Sequence, residues 1–525
     1  MKTANDTAKS AANHDGPLVL VIIDGWGIGP AGPTNPISQA QTPTLTSWRR
    51  VYPMTELAAS GSAVGLNPGQ DGNSEAGHMN LGAGRVVPQE SVRISNAIAN
   101  GLFFRNPAWL AMLHHVRKHQ STLHIMGMLG SNESAHADPD HLLALLIFVQ
   151  DHNLQNVKLH LFTDGRDSPR FFAREMLTKF ASHFGDAKVA TIMGRYYAMD
   201  RNKTWDRTEA AYRAITQAEG PHQADDALSA VSQAYNRGES DEFITPTIVD
   251  GYQGMNDGDA IIFFNLRSDR ARQLTKTFVQ TDFEKENAAT GAFRRARVIR
   301  DLLFVAMTDF GPDLGDILSA FPAMTVNETL PMVVPGLRQL YLAESEKYAH
   351  VTYFFNGGYP DPVAGEHREM VPSPPVQYYD RQPAMNTPKL ADRICAAVAR
   401  REFDLLVVNF ANTDMIAHTG NFPAGIAAME AADHALGRIA AAVQAVSGVV
   451  VVTGDHGNLE EMVNVKTGEV DTEHSANPVP FWVVGERGRG KTLRAGGRLA
   501  DVAPTLLDLL GRPQPAAMTG RSLLQ

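Results

Sequence analysis

Cysteine is nearly absent, with Cys395 the only one in 525 residues. This excludes an intramolecular disulfide and any zinc site built on several thiolates, and it fits a reducing compartment. Long apolar runs are also missing. Stretches such as 18–23 and 449–452 fall far short of the roughly 18 residues needed to cross a bilayer. Positive charge is in deficit, and the formal net charge of −10 argues against nucleic acid or an anionic membrane as a partner, since either favours a basic footprint. A small anionic substrate would therefore need a local cluster of cations. Residues 1–17 lack both the apolar core of a secretory signal and the Arg-rich, acid-poor bias of a transit peptide. They read as a frayed tail, and the expected compartment is the cytoplasm.

At 525 residues the chain exceeds the roughly 250 to 300 at which one hydrophobic core stops growing, so two or more domains are expected. Short apolar, β-branched runs at 18–23, 158–162, 261–264, 405–408 and 449–452 alternate with helical patterns at 141–150, 209–218 and 424–446. That rhythm predicts an α/β fold with buried strands. Polar residues follow the strands directly, where open α/β sheets place their sites. Acid and imidazole groups concentrate before residue 80 and after residue 410, whereas an arginine series occupies 166–270, as if one domain were interrupted by another.

Asp24 closes the first strand. Asp414 and His418 are four apart at the start of a predicted helix, so they share one face. Asp455 and His456 follow four valines, a costly place for both unless something binds them. His474 lies in a loop before the apolar run 479–484. Singly, Asp24 reads as a turn former and the Asp414/His418 pair as a solvated helix face; jointly, three Asp and three His suit one or two divalent ions. Mixed carboxylate and imidazole ligands favour Mn²⁺ or Zn²⁺ over Ca²⁺. Two ions could stabilise both the attacking and the leaving oxygen of a phosphoryl transfer. Ser74 is the candidate nucleophile, flanked by Gly72 and Gly77, which would permit the tight turn an exposed nucleophile needs.

These residues lie in motifs that resemble one family. Asp24-Gly-Trp-Gly27, Gly72-Asn-Ser-Glu-Ala-Gly-His78, Asp164-Gly-Arg-Asp167, Gly194-Arg-Tyr-Tyr-Ala-Met-Asp-Arg201, Phe263-Phe-Asn-Leu-Arg-Ser-Asp-Arg-Ala-Arg272, Glu346-Lys-Tyr-Ala-His-Val-Thr352, Asn409-Phe-Ala-Asn-Thr-Asp-Met-Ile-Ala-His418 and Gly454-Asp-His-Gly-Asn458 are similar to those of the cofactor-independent (2,3-bisphosphoglycerate-independent) phosphoglycerate mutases of the alkaline phosphatase superfamily. The resemblance implies a three-layer α/β/α metal-binding domain over 1–88 and 311–525, interrupted by a transferase-like α/β domain at 89–310. It implies two metal sites, one from Asp414, His418 and His474, the other from Asp24, Ser74, Asp455 and His456, with Mn²⁺ first among Mn²⁺, Zn²⁺, Co²⁺ and Mg²⁺. Ser74 matches the family nucleophile, and His136, Arg166, Asp167, Arg195, Arg201, Arg267, Arg270 and Lys347 match its substrate-binding positions. Asp167 could shuttle protons with the glycerate hydroxyls, and Lys347 would reach the transferring group.

The implied reaction is interconversion of 3-phosphoglycerate and 2-phosphoglycerate through a phosphoserine, by a monomer, with domain closure excluding water. Guanidinium forks suit a substrate carrying both phosphate and carboxylate. The two-metal core alone would also suit a phosphatase, a phosphonate hydrolase or a phosphopentomutase; the arginine signatures separate the mutase from these. One departure stands at the loop of His136, where the family pattern Ser-Asp-Gly-Gly-Val-His-Ser-His becomes Ser131-Asn-Glu-Ser-Ala-His-Ala-Asp138.

Overall fold

The computed structural model describes residues 16–525 except 132, 133, 186, 312, 316, 465 and 466. Most of the tail read as frayed, 1–15, and Asn132 and Glu133 of the altered loop therefore lie outside the described residues. The chain forms two compact units, one from residues 16–89 with Met324–Gln525, the other from Glu90–Ala323. The second crossing falls after the expected 310 because Leu318–Phe321 is still a strand of the inserted unit, paired in parallel with Leu303–Thr308.

The first unit is built on an eight-stranded sheet in the order Glu366–Val371, Gln339–Glu344, Leu405–Phe410, Leu18–Ile23, Val449–Gly454, Val479–Val484, Met54–Ala58, Gly497–Arg498. The first five are parallel, and Val479–Val484 runs antiparallel to its neighbours on both sides. Period-two alternation explains why the central strands are apolar throughout. Leu18, Leu20 and Ile22 enter one core with Ala76, Leu81, Val502 and Leu506. Val19, Val21 and Ile23 enter the other with Leu390, Ile394, Met429, Leu436 and Ile439. Helices Ser74–Ala83 and Val502–Leu509 thus cover one face and Thr387–Ala399 and Phe422–Gln444 the other, giving the expected α/β/α layering.

Register brings the chemistry to one crest. Ile23 pairs with Phe410 on one side and Gly454 on the other, so Asp24, the turn leading to Asp414, and Asp455 leave adjacent strands at the same level.

The inserted unit has its own eight-stranded sheet, ordered Leu318–Phe321, Leu303–Thr308, Ala260–Phe263, Leu123–Leu129, Val157–Thr163, Lys188–Gly194, Thr247–Val249, His222–Ala224. Among its described strands only the Lys188–Gly194/Thr247–Val249 pair is antiparallel. Its core gathers Trp109, Leu142, Phe162, Ile192, Tyr212 and Phe263. Thr163 pairs with Gly194, which again sets two polar segments, Asp164–Asp167 and Arg195, side by side at strand ends. The helical patterns appear as Pro139–Asp151, Trp205–Gln217 and Phe422–Gln444. No helix among the described residues is long and apolar enough to cross a membrane.

Candidate active site

In the first unit Ser74 opens the helix Ser74–Ala83, with Asn73 as N-cap accepting from the amide of Ala76. Its side chain is buried, at 6% exposure, so the exposed tight turn expected from the flanking glycines is not what forms. The glycines serve close approach instead. A Cβ on Gly77 would lie 2.5 Å from the Asp455 carbonyl oxygen, and one on Gly72 would lie 2.7 Å from the His456 Cβ. Replacing a helical glycine by alanine ordinarily stabilises by about 1 kcal/mol. Gly77→Ala should instead destabilise by roughly 1 to 3 kcal/mol, because Asp455 must move. Thermal melting and turnover of the variant check this; a melting temperature above that of the parent would refute it.

Three polar groups converge on the Ser74 hydroxyl. It donates to Asp24 Oδ1 at 3.1 Å, lies 3.0 Å from His456 Nε2, and accepts from Lys347 Nζ at 2.8 Å. Lys347, at the end of the short turn after strand Gln339–Glu344, also reaches Asp24 Oδ1 at 2.7 Å and Asp414 Oδ2 at 2.6 Å. Asp414 lies in the helix Asn412–Ala417, and His418 caps that helix with its Nε2 3.4 Å from Asp414 Oδ1. His474 Nε2 is equally 3.4 Å from Asp414 Oδ1 and 3.1 Å from His418 Nε2.

The electrostatics follow from these contacts. Burial alone would raise the Asp24 and Asp414 carboxyls, but the Lys347 ammonium, helped by the neighbouring imidazoles, holds both well below the usual carboxylate range. Burial alone would discharge Lys347, yet Asp24, Asp414 and Asp455 keep it charged. Against the same burial penalty, Asp455, Asp24 and Asp414 push His456 up to about 9, and Asp414 raises His418. His350, half-buried, is lowered to about 3 by desolvation and the nearby Lys347 cation.

The donor set fits divalent cations. His418 Nδ1 faces the Thr472 carbonyl at 2.8 Å, His474 Nδ1 the Gly72 carbonyl at 2.8 Å, and His456 Nδ1 the Gly457 carbonyl at 3.2 Å. A carbonyl only accepts, so each Nδ1 carries the hydrogen and each Nε2 is turned to the carboxylates as a potential ligand. Asp455 Oδ2 is buried, and among the described residues it accepts no hydrogen bond, with His78 Nδ1 3.2 Å away. Asp414, His418 and His474 form one group able to hold an ion, and Asp24, Asp414 and His456 another. A third group, Asp24, His78 and Asp455, includes His78, which sequence reasoning passed over. Its signal was the i, i+4 spacing from Ser74. Asn409 and Asn458 were also missed: Asn409 Nδ2 donates to Asp24 Oδ2 at 2.7 Å and Asn458 Nδ2 to Asp414 Oδ1 at 2.8 Å.

In the inserted unit Asp164, buried at the end of strand Val157–Thr163, organises a second group. Its Oδ1 accepts from Arg195 Nη1 at 2.5 Å and from the Arg166 and Asp167 amides at 3.3 and 3.2 Å. Arg195 Nη1 also donates to Asp167 Oδ2 at 2.8 Å, an oxygen that accepts from Ser134 Oγ at 2.9 Å. The altered loop therefore places its serine on Asp167. Asp138, another of the changed positions, caps the helix Pro139–Asp151. Asp269 collects Arg201 at 2.7 Å, Arg267 at 3.9 Å and His136 at 4.0 Å. Arg270 Nη1 donates to the Met199 carbonyl at 3.3 Å.

Arginines outweigh carboxylates here, and their mutual repulsion acts on their neighbours' protonation. Burial first, then the like charges of Arg195, Arg201 and Arg166, pull Arg270 below its ordinary value. Burial and Arg195 lower His136 to about 4, which leaves it neutral at pH 7. An anion with two negatively charged ends would relieve this repulsion. Asp164, Ser134 and Asp269 were not singled out from sequence, because their role is to hold the arginines.

Residues 16–514 match the Metalloenzyme superfamily. The chain is 46% identical to the 2,3-bisphosphoglycerate-independent phosphoglycerate mutase of Chloroflexus aurantiacus, covering 97% of this chain and 98% of that protein. It is likewise 46% identical to the enzyme of that name from Thermomicrobium roseum, with the same coverage. Among solved structures it resembles Leishmania mexicana phosphoglycerate mutase at low cobalt concentration, with a TM-score of 0.74, 28% identity and 98% of each chain covered.

Proposed function

The chain belongs to the family of 2,3-bisphosphoglycerate-independent phosphoglycerate mutases and interconverts 3-phosphoglycerate and 2-phosphoglycerate; from that premise we propose how its own residues carry the reaction. Ser74 is the nucleophile. The observation that carries this is its hydroxyl, seated between Asp24, His456 and the Lys347 ammonium. Two divalent cations, one held by Asp414, His418 and His474, the other by Asp24, Ser74, Asp455 and His456, would supply Lewis-acid activation of that hydroxyl and neutralise phosphoryl charge. Mn²⁺ is the proposed metal, with Zn²⁺, Co²⁺ or Mg²⁺ as substitutes.

Ser74 takes the phosphoryl group from one glycerate hydroxyl as phosphoserine and returns it to the other. Lys347 stabilises charge on the transferring group. His136, Arg166, Arg195, Arg201, Arg267 and Arg270 hold the glycerate during the exchange, since an escaped glycerate would leave the phosphoserine to water. Asp167, oriented by Arg195 and Ser134, receives and returns the hydroxyl proton. Burial opposes its ionisation, but those two donors keep it below its ordinary value, so it is available as a base at neutral pH. The enzyme acts on its small-molecule substrate as a cytoplasmic monomer, without nucleic acid or membrane partners.

Enolase-coupled conversion of 3-phosphoglycerate, with no 2,3-bisphosphoglycerate added, tests the metal-dependent reading. Turnover should vanish on chelation and return with Mn²⁺. Full activity in rigorously metal-free protein would reject the metal roles, and release of free phosphate with no 2-phosphoglycerate would indicate a hydrolase.

A further inference from the structure

We propose that His78 is a positioning residue for phosphoryl transfer, locking the peptide of Ser74 and, through Asn409, the carboxylate of Asp24. This rests on Ser74 being the nucleophile. His78 is fully buried, four residues after Ser74 on the same helix face. Asn409 Nδ2 has two hydrogens; one goes to Asp24 Oδ2 at 2.7 Å and the other to His78 Nε2 at 3.0 Å. An amide nitrogen only donates, so His78 Nε2 is the acceptor and the ring hydrogen sits on Nδ1. The opposite amide orientation would press the Asn409 oxygen against the Asp24 carboxylate, so charge dictates this assignment.

His78 Nδ1 then donates to the Ser74 carbonyl at 2.9 Å. With the Ser74 hydroxyl on Asp24 Oδ1 at 3.1 Å, the contacts close a ring: Ser74 hydroxyl, Asp24, Asn409, His78, Ser74 carbonyl. Both ends of the nucleophilic residue are tied into one hydrogen-bonded loop. Nδ1 also lies 3.2 Å from Asp455 Oδ2, the buried oxygen that accepts no hydrogen bond among the described residues. A residue that merely filled space would need neither the single tautomer nor the closed loop. Outer groups that orient ligands in this way typically change metal affinity or activity 10- to 100-fold when altered.

The test uses His78→Gln, His78→Asn and Asn409→Ser in the full-length enzyme. His78→Gln loses the Nδ1 donor and should lower kcat roughly 10- to 100-fold. KM for 3-phosphoglycerate should stay within about twofold, because the candidate glycerate-binding groups are elsewhere. In a Mn²⁺ titration followed by the free-ion paramagnetic signal, one class of site should weaken while the other is unchanged. His78→Asn puts its amide nitrogen where Nδ1 was but leaves Asn409 without its acceptor, and its kcat should fall between those of His78→Gln and the parent. Asn409→Ser breaks the same loop from the other side, and the His78→Gln/Asn409→Ser double variant should be no worse than the poorer single variant.

Equal losses in His78→Gln and His78→Asn, matched by equal falls in melting temperature, would overturn the proposal in favour of packing. So would unchanged kcat and Mn²⁺ binding in His78→Gln. If the His78 variants do not fold, Asn409→Ser decides alone by whether it lowers both kcat and one Mn²⁺ affinity. The Mn²⁺ titration does not depend on which residue is the nucleophile, and phosphoenzyme formation tests that reading separately.

Discussion

Replacing Ser74 by alanine is expected to lower enolase-coupled turnover by roughly 10⁴-fold or more and to abolish phosphoenzyme formation, while the protein still folds. In the proposed cycle one phosphoryl group moves between two hydroxyls of one glycerate by way of the enzyme, which holds it in between. Within the described residues of the first unit, Ser74 is the hydroxyl that meets a lysine, an aspartate and a histidine at 2.8, 3.1 and 3.0 Å. The stability cost should be small because every partner keeps another. Lys347 retains Asp24 and Asp414, Asp24 retains Asn409, and His456 Nε2 retains Asp24 Oδ1 and Asp455 Oδ2 at 3.4 and 3.5 Å. A change of about 1 kcal/mol is the scale for one lost hydrogen bond whose partners stay satisfied. Intact-mass analysis after incubation with 3-phosphoglycerate reads the phosphoenzyme directly. A variant that still turns over, or still gains a phosphoryl group, removes Ser74 from the role.

The carboxylates and imidazoles around Ser74 were accessible from sequence because strand ends are legible. A run of four β-branched valines such as 449–452 reads as a buried strand, which places the polar pair behind it at the strand's carboxyl end. Register turned separate motifs into one site: Ile23 level with Phe410 and Gly454 puts residues hundreds of positions apart at one height. The helix that carries Ser74 was not legible. Gly72 and Gly77 suggested a turn, whereas their missing side chains make room for Asp455 and His456. Composition cannot distinguish conformational freedom from close approach; only the neighbours can. His78, Asn409, Asp164 and Asp269 escaped for a related reason. Each supports another residue rather than standing in a ligand-like pattern, and the partners that define those roles, such as Asn409 on Asp24 and Asp164 on Arg195, are brought together only by the fold. Ser134 and Asp138, read as departures, turned out to be employed, one on Asp167 and one as a helix cap.

Lys347→Met should act on stability and on catalysis with different dependence on metal. In chelated protein the Lys347 ammonium compensates two fully buried carboxylates, Asp24 and Asp414, at 2.7 and 2.6 Å. Removing it strands that charge, and an uncompensated buried charge costs about 3 to 5 kcal/mol. The melting temperature of the metal-free variant should therefore fall by several degrees. Mn²⁺ should restore it by more than it stabilises the parent, because a cation bound at the same carboxylates supplies the missing charge. Turnover should not follow. A fixed ammonium aimed at the transferring group stabilises charge that develops only in the transition state, and losing one such donor costs roughly 10²- to 10³-fold in kcat. Lys347→Arg should fail to rescue, because a planar fork does not fit where a point charge meets three oxygens at 2.6 to 2.8 Å. Melting with and without Mn²⁺, alongside kcat at saturating metal, separates the two effects. If kcat of the metal-loaded methionine variant stays within about threefold of the parent, Lys347 is a counter-ion of the empty carboxylates and has no part in transfer.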